Sequence, residues 1–404
     1  MTSLSFEENA PPTSARTVLA SDFDQCIWGA DAREVWRALT AAGPVVRSKP
    51  GVALITSTAG VEQVLHDPAV FSSNPDAMYF GSATGAIPLQ IDPPDHSRYR
   101  KMLDPLFSPR RMAEREEEVA GLANQLIDAF VERGSCDFST EFAIPFPSVV
   151  FLRLMGLPTD RLDEFLTAKE GMIRPVGATD TERVAMREQT GAWIFEYFTT
   201  ALDSHAEDDT SDVLGTFVAL EREGRLTRDE TLNICILMLA AGLDTVTDAL
   251  ECGFAFLAQS PAHQRQLAEN PDLAAGAVEE LLRFETPVST VSRVVMSPTE
   301  IDGCPIAAGE RVKPLLAVPN IDPAVHTDPD TVDFSRPSNK HIAFGAGVHR
   351  CVGSHLARLE LRVALREWHR RIPSYRLADD HIVRFSRGLR EIEHLPIEFP
   401  APPR

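Results

Sequence analysis

The richest chemistry lies in one run: Phe344, Gly345, Ala346, Gly347, Val348, His349, Arg350, Cys351, Val352 and Gly353. Glycines at 345 and 347 let the backbone turn sharply and lie flat against a large planar ligand. Cys351 follows, and a helical pattern begins just after it, over 355–370. A sulfur placed there faces backbone N–H groups and the positive end of a helix, which favours thiolate over thiol. A thiolate is a strong axial ligand for an iron porphyrin and pushes electron density toward bound oxygen. A plain buried cysteine in a glycine turn could share the Gly-to-Cys spacing. The company of Phe344, Gly347, His349 and Gly353 favours the metal ligand.

A second group is Ala240, Ala241, Gly242, Leu243, Asp244 and Thr245, midway along the longest helical pattern, 227–258. Asp and Thr are poor choices for an apolar helix centre. Leu237, Ala241 and Thr245 share one face, with Asp244 one step across. Small residues beside a hydroxyl make a groove for a ligand. The alternative is a threonine bonded back to the carbonyl four residues earlier, with a partly solvated aspartate. Glu280 and Arg283, three apart on a helix, can pair.

These residues need elements to hold them. Thr227 and Glu230 have the form of a capping box, which starts the long helix. Further helices are expected over 32–42, 95–106, 112–132, 142–155, 161–170, 181–202 and 274–284. Short strands are expected over 45–46, 52–56, 292–296 and 311–317. The segment 71–90 reads as a loop, 319–340 as a Pro- and Asp-rich meander, and the first twenty residues as irregular. The fold class is mainly α with small β-sheets, in one domain over 1–404, because no linker, repeat or low-complexity tract divides the 404 residues.

Acidic residues number 59 against 39 basic, a net charge of −20. That argues against nucleic acid and anionic membrane surfaces as partners. None of the six cysteines forms a Cys-x-x-Cys pair, so a zinc site is not expected. Cys235 and Cys252 sit in apolar helical surroundings and read as core. The first twenty residues are polar, without a signal peptide's apolar stretch. The run 234–243 is too short to span a bilayer.

The cysteine loop resembles the haem-ligand signature of the cytochrome P-450 superfamily. Stretches beginning at Glu141, Leu154, Gly242, Val332 and Glu367 are similar to its bacterial camphor-hydroxylating branch. The resemblance covers most of the chain after about residue 93. It implies the superfamily fold, a long central helix over a buried haem b, with Cys351 on the iron and Phe344 beside it. Asp244 and Thr245 then match the acid–alcohol pair: the hydroxyl bonds the oxygen being activated, and the acid passes protons to its outer atom. His96, Arg100, Arg293 and His349 match the cations that meet the haem propionates. Glu280, Arg283 and Arg336 match a buried structural triad. Eukaryotic microsomal members carry a membrane anchor; none is expected here, which implies a cytoplasmic protein of bacterial type.

The same resemblance implies a small apolar substrate, O2, and electrons from NADH through a ferredoxin reductase and a [2Fe–2S] ferredoxin. A docking face would use Arg100, Lys101, Arg110, Arg111, Arg350 and Arg358. The substrate wall is expected from Thr84, Ile87, Leu237, Ala240, Val288, Val291 and Leu389. Thr84 stands where the camphor enzyme has a ketone-holding tyrosine, and Tyr79 is another hydroxyl nearby. Ala240 replaces a valine and widens the space. A monoterpenoid or norisoprenoid is therefore expected to be hydroxylated, rather than camphor. The alternatives are a peroxide-driven haem-thiolate enzyme and a non-enzymatic haem-binding sensor or carrier.

Overall fold

The computed structural model describes residues 32–77, 85–205, 211–379, 381–385 and 390–401. Its first part runs α1 (Ala32–Ala42), β1 (Val45–Lys49), β2 (Val52–Ile55), α2 (Thr58–His66) and β3 (Phe71–Ser72). Helices then dominate: α3 (Asp95–Leu103), α4 (Pro109–Ala113), α5 (Glu116–Asp128), α6 (Pro145–Met155), α7 (Leu162–Ile173), α8 (Asp180–Ser204) and α9 (Val213–Arg222). They continue with α10 (Arg228–Gly242), α11 (Thr245–Ala258), α12 (Pro261–Glu269) and α13 (Ala274–Glu285), and strand β4 (Ser135–Asp137) lies between α5 and α6. The last part holds β5 (Arg293–Val295), β6 (Thr299–Ile301), β7 (Cys304–Ile306), β8 (Arg311–Pro314), α14 (Ala317–Ile321), α15 (Ser354–Arg371), β9 (Arg376–Leu377) and β10 (Pro396–Glu398). The chain is mostly helical with small sheets.

Capping boxes start the two long helical stretches. Thr179 with Glu182 opens α8, and Thr227 with Glu230 opens α10. Each satisfies two backbone N–H groups that a helix start leaves bare. Strands from the two ends of the chain meet in one sheet, ordered β1-β2-β8-β5-β3. β2 and β8 pair in parallel, Val52 opposite Arg311, while β3 pairs antiparallel with β5. The helical core carries stacked aromatics: Phe138 lies 4.2 Å from Phe254, and Trp368 meets both edge-on. Trp36, Leu54 and Leu315 form a smaller core against the sheet.

The expected long helix, 227–258, is divided: α10 ends at Gly242 and α11 begins at Thr245. Leu243 stays in the right-handed helical region while Asp244 leaves it, with φ −124° and ψ −53°, and the ladder resumes where the Asp248 N–H donates to the Asp244 carbonyl. Glycine is the residue that fits at 242, since a methyl there would meet the Phe151 ring at 2.4 Å. The expected helix 112–132 is likewise split into α4 and α5, and the expected loop 71–90 contains β3. Helices α2, α9, α12 and α14 and the β6–β7 hairpin have no counterpart among the expected elements. Over Arg228–Ala258 the stretch is long and apolar enough to cross a membrane, but most of its apolar window is buried in the fold.

Candidate active site

The cysteine loop is built on backbone constraints. Gly345 and Gly347 adopt φ of 69° and 67°, in the left-handed region that favours glycine. A methyl on Gly347 would lie 2.1 Å from the Leu65 carbonyl oxygen, so this loop presses against the end of α2. The Cys351 N–H donates to the Phe344 carbonyl at 2.9 Å and closes the turn. The Arg358 guanidinium covers the Phe344 ring at 4.4 Å and is itself held by Glu279 at 2.7 and 2.8 Å. Cys351 is exposed, in contrast to the buried Cys136, Cys235 and Cys252. Burial by crowding protein nevertheless dominates its thiol and pushes the pKa up, while the Gly353 N–H and Arg100, Arg350 and Arg358 pull it down. A bound metal cation would reverse that balance, because a coordinating thiol deprotonates outright.

Four cationic or imidazole groups converge beside this loop. The rings of His96, on α3, and His349 lie 4.4 Å apart. His349 Nε2 stands 3.7 Å from Asp92 Oδ1, and Asp92 accepts the Ser72 hydroxyl and, at 3.0 Å, the Ser73 N–H. Burial lowers the His96 pKa to about 4, and Arg293 falls to about 10 for the same reason. Arg293 is buried, its Nη1 donating only to the Ser292 carbonyl at 2.8 Å. Among the described residues, His96 Nε2 and His349 Nε2 are buried without hydrogen-bond partners. Buried polar atoms normally have partners, so these orphans fit a planar group that brings carboxylates to this corner. Arg100 is more committed: its Nε bonds Asp104 at 2.6 Å, and its Nη1 bonds the carbonyls of Val348 and Arg350 at 3.2 and 2.7 Å.

At the break between α10 and α11, Asp244 is 1% exposed and doubly gripped. Lys169 Nζ donates to its Oδ1 at 2.8 Å and Arg174 Nη2 to its Oδ2 at 2.9 Å. Burial opposes the charges of Lys169 and Arg174, but Asp244 together with Glu170, joined at Arg174 by Glu391 and Asp248, outweighs it and holds both above their usual pKa. Arg174 also reaches Glu391 at 2.8 Å. Thr245 Oγ1 donates to the Ala241 carbonyl at 3.3 Å, so its hydroxyl must turn about χ1 to meet a ligand. The threonine half of the alternative drawn from sequence, the back-bond to Ala241, is present, but the aspartate is buried rather than partly solvated. Lys169, Arg174 and Asp92 escaped the sequence reading. Lys169 and Arg174 lie on or just after α7, far from Asp244 in the chain, and give no local signal. Asp92 did carry one, since it opens the run Asp92, Pro93, Pro94.

Glu280 and Arg283 are fully buried and joined by two bonds of 2.8 Å. Arg336 Nε adds bonds of 3.1 and 3.0 Å to the same carboxylate, and the Asp333 N–H and Asn339 complete it. Burial raises the Glu280 pKa, but these donors outweigh it and the net shift is downward. Removing one member of a buried pair typically costs about 3–5 kcal/mol, because the remaining charge is stranded. Arg283→Ala should accordingly lower the free energy of urea unfolding by that amount, while Arg110→Ala, at an exposed pair, should leave it unchanged within error.

Of the expected substrate wall, Ile87, Leu237 and Ala240 are buried and Val288 and Val291 half-buried. Thr84 and Leu389, and Tyr79 with them, lie outside the described residues. Among the expected docking cations, Lys101, Arg110 and Arg350 are exposed. Arg100, Arg110 and Arg358 already carry carboxylate partners in Asp104, Glu114 and Glu279.

The family model described as Cytochrome P450 matches residues 180–368. The chain is 38% identical over 340 residues to the probable cytochrome P450 127A1 of Sinorhizobium fredii, covering 82% of this chain and 80% of that one. It is 32% identical over 385 residues to a steroid C26-monooxygenase of Mycobacterium tuberculosis, covering 92% and 95%. The solved structure of a P450 EryK mutant with erythromycin B matches with a TM-score of 0.84 at 29% identity, covering 96% of this chain and 98% of that one.

Proposed function

The chain belongs to the cytochrome P450 family, a family of haem b monooxygenases, and on that footing we propose that it hydroxylates a small apolar molecule of the monoterpenoid or norisoprenoid class. Bound haem b supplies the oxygen-activating chemistry. Cys351 is the iron ligand, and His96, Arg293 and His349 meet the propionates, with Arg100 tying α3 to the cysteine loop. Thr245 turns its hydroxyl toward the oxygen, and Asp244 supplies protons to it from between Lys169 and Arg174. Apolar side chains at Ile87, Leu237, Ala240, Val288 and Val291 exclude water and select by shape.

The observation that carries this reading is the buried, doubly paired Asp244 beside Thr245. Burying a charge is expensive, and a ligand carrier or a peroxide-driven enzyme needs no acid at that place. Electrons come from NADH through a ferredoxin reductase and a [2Fe–2S] ferredoxin docking on the exposed cations near the cysteine loop. Product formed with NADH and such partners, and not with peroxide alone, supports the reading; turnover with peroxide alone defeats it.

The substrate class rests on Ala240 and the apolar wall. An unpaired ketone in such a wall costs roughly 1–3 kcal/mol by mutational estimates. A monoterpene hydrocarbon, which carries no carbonyl, should therefore shift the Soret band at about 5–150-fold lower concentration than camphor, by the same free-energy difference. Tight camphor binding with a single product would instead mean that a hydroxyl such as that of Tyr79 holds the ketone. A steroid and erythromycin B, named for two of the related proteins, are larger, so a steroid belongs in the same titration; its binding more tightly than the monoterpene would assign a larger substrate.

A further inference from the structure

Asp244 is the first of three carboxyl residues on one buried face of the central helix. Asp248 and Glu251 follow at the spacing of one and two turns, and both are 0% exposed. Neither carboxylate oxygen of Asp248 has a hydrogen-bond partner among the described residues. Glu251 accepts the Ile392 N–H at 2.7 Å on Oε2, while its Oε1 is buried and unpartnered. An unpartnered buried carboxylate is a heavy cost that a fold does not carry without a use. Both unmet oxygens of Asp248 lie one helical turn from the acid that the oxygen chemistry depends on, within reach of one bridging water.

We propose that Asp248 is a proton-supplying carboxylic acid for this site, acting through Asp244 across one helical turn. The inference rests on the monooxygenase reading above. In the step, the O–H bond of Asp248 breaks and its proton passes to the Asp244 carboxylate through the bridging water. The electron pair stays on the Asp248 oxygen. Glu251 then returns a proton to Asp248 and regains its own from solvent.

The surrounding charges suit that role. Burial raises the Asp248 pKa well above the carboxylate range, and Asp244, Glu251 and Glu391 add to the rise. Arg174, reaching in from the end of α7, is the cation that opposes it. Burial likewise takes Glu251 up to about 8, against the Ile392 N–H and Ser139. Burial thus favours the protonated form of both side chains, while Asp244 sits in two salt bridges. A neutral acid poised beside an ion-paired carboxylate is the arrangement that transfers a proton in response to a new demand.

The test is Asp248→Asn in the haem-loaded enzyme, with Asp248→Ser as a second variant should the first fail to load haem. Infrared spectra in H2O and D2O near neutral pH should show a protonated-carboxyl band in the parent that the variant lacks. With NADH, a surrogate ferredoxin system and an ionone as probe, coupled turnover should fall at least ~10-fold. Its rate should also fall with rising pH where the parent is flat, because protons must then come from solvent. An unchanged infrared spectrum, or a variant pH profile superposing on the parent's, overturns the relay while the monooxygenase reading stands. A parent that consumes no oxygen with NADH overturns both.

Discussion

Cys351→Ser should abolish the red-shifted Soret band of the reduced carbon-monoxide complex, while Cys252→Ser should keep it. The expectation follows from the setting of each cysteine. Cys351 is exposed on a loop whose glycines adopt positive φ, with the Gly353 N–H and Arg100, Arg350 and Arg358 opposing the burial that raises its thiol. Cys252 is buried in α11, its Sγ turned to the Arg390 carbonyl, and burial pushes its thiol strongly up. Cys136 and Cys235 are buried in the same manner. A hydroxyl at 351 is a far weaker donor to iron than a thiolate, so the loss should be complete rather than partial. Retention of the band in Cys351→Ser would assign the iron to another ligand.

The second large effect is expected at the break between α10 and α11. Thr245→Ala should leave haem loading intact and divert most electrons from NADH to hydrogen peroxide. Asp244→Asn should slow coupled turnover ~10²–10⁴-fold, the usual worth of a positioned acid or base. Asparagine is the informative replacement because it keeps the shape between Lys169 and Arg174 while removing the charge that both cations answer. The solvent isotope effect on turnover should rise in Asp244→Asn, which a merely structural loss would not produce. Normal coupling in both variants would remove proton delivery from this pair.

How much of this was legible in the chain depends on distance along it. Cys351 and its glycines, and Glu280 with Arg283, are local patterns, and local geometry follows from them. The start at Thr227 was readable for the same reason. The break at Asp244 was not, although Gly242, Asp244 and Thr245 are weak helix formers, because the forces that settle it come from elsewhere: Phe151 against Gly242, and Lys169 and Arg174 against Asp244. Asp248 and Glu251 were visible as two acids in an otherwise apolar helix. Their meaning depends on carboxyl oxygens left without a partner among the described residues, and only packing reveals that. β3 was missed because two residues carry no periodicity; its pairing with β5 depends on a strand far along the chain.

The contact of Gly347 with the Leu65 carbonyl, and of Arg100 with Val348 248 residues away, bears on the order of events during folding. The loop that receives the cofactor is clamped by one element from the sheet region and one from the early helices. Neither contact is available until distant parts of the chain have found each other, and closing such long loops is entropically slow. Cofactor capture is thereby coupled to completion of the whole fold, and a chain arrested halfway has no finished place to hold it.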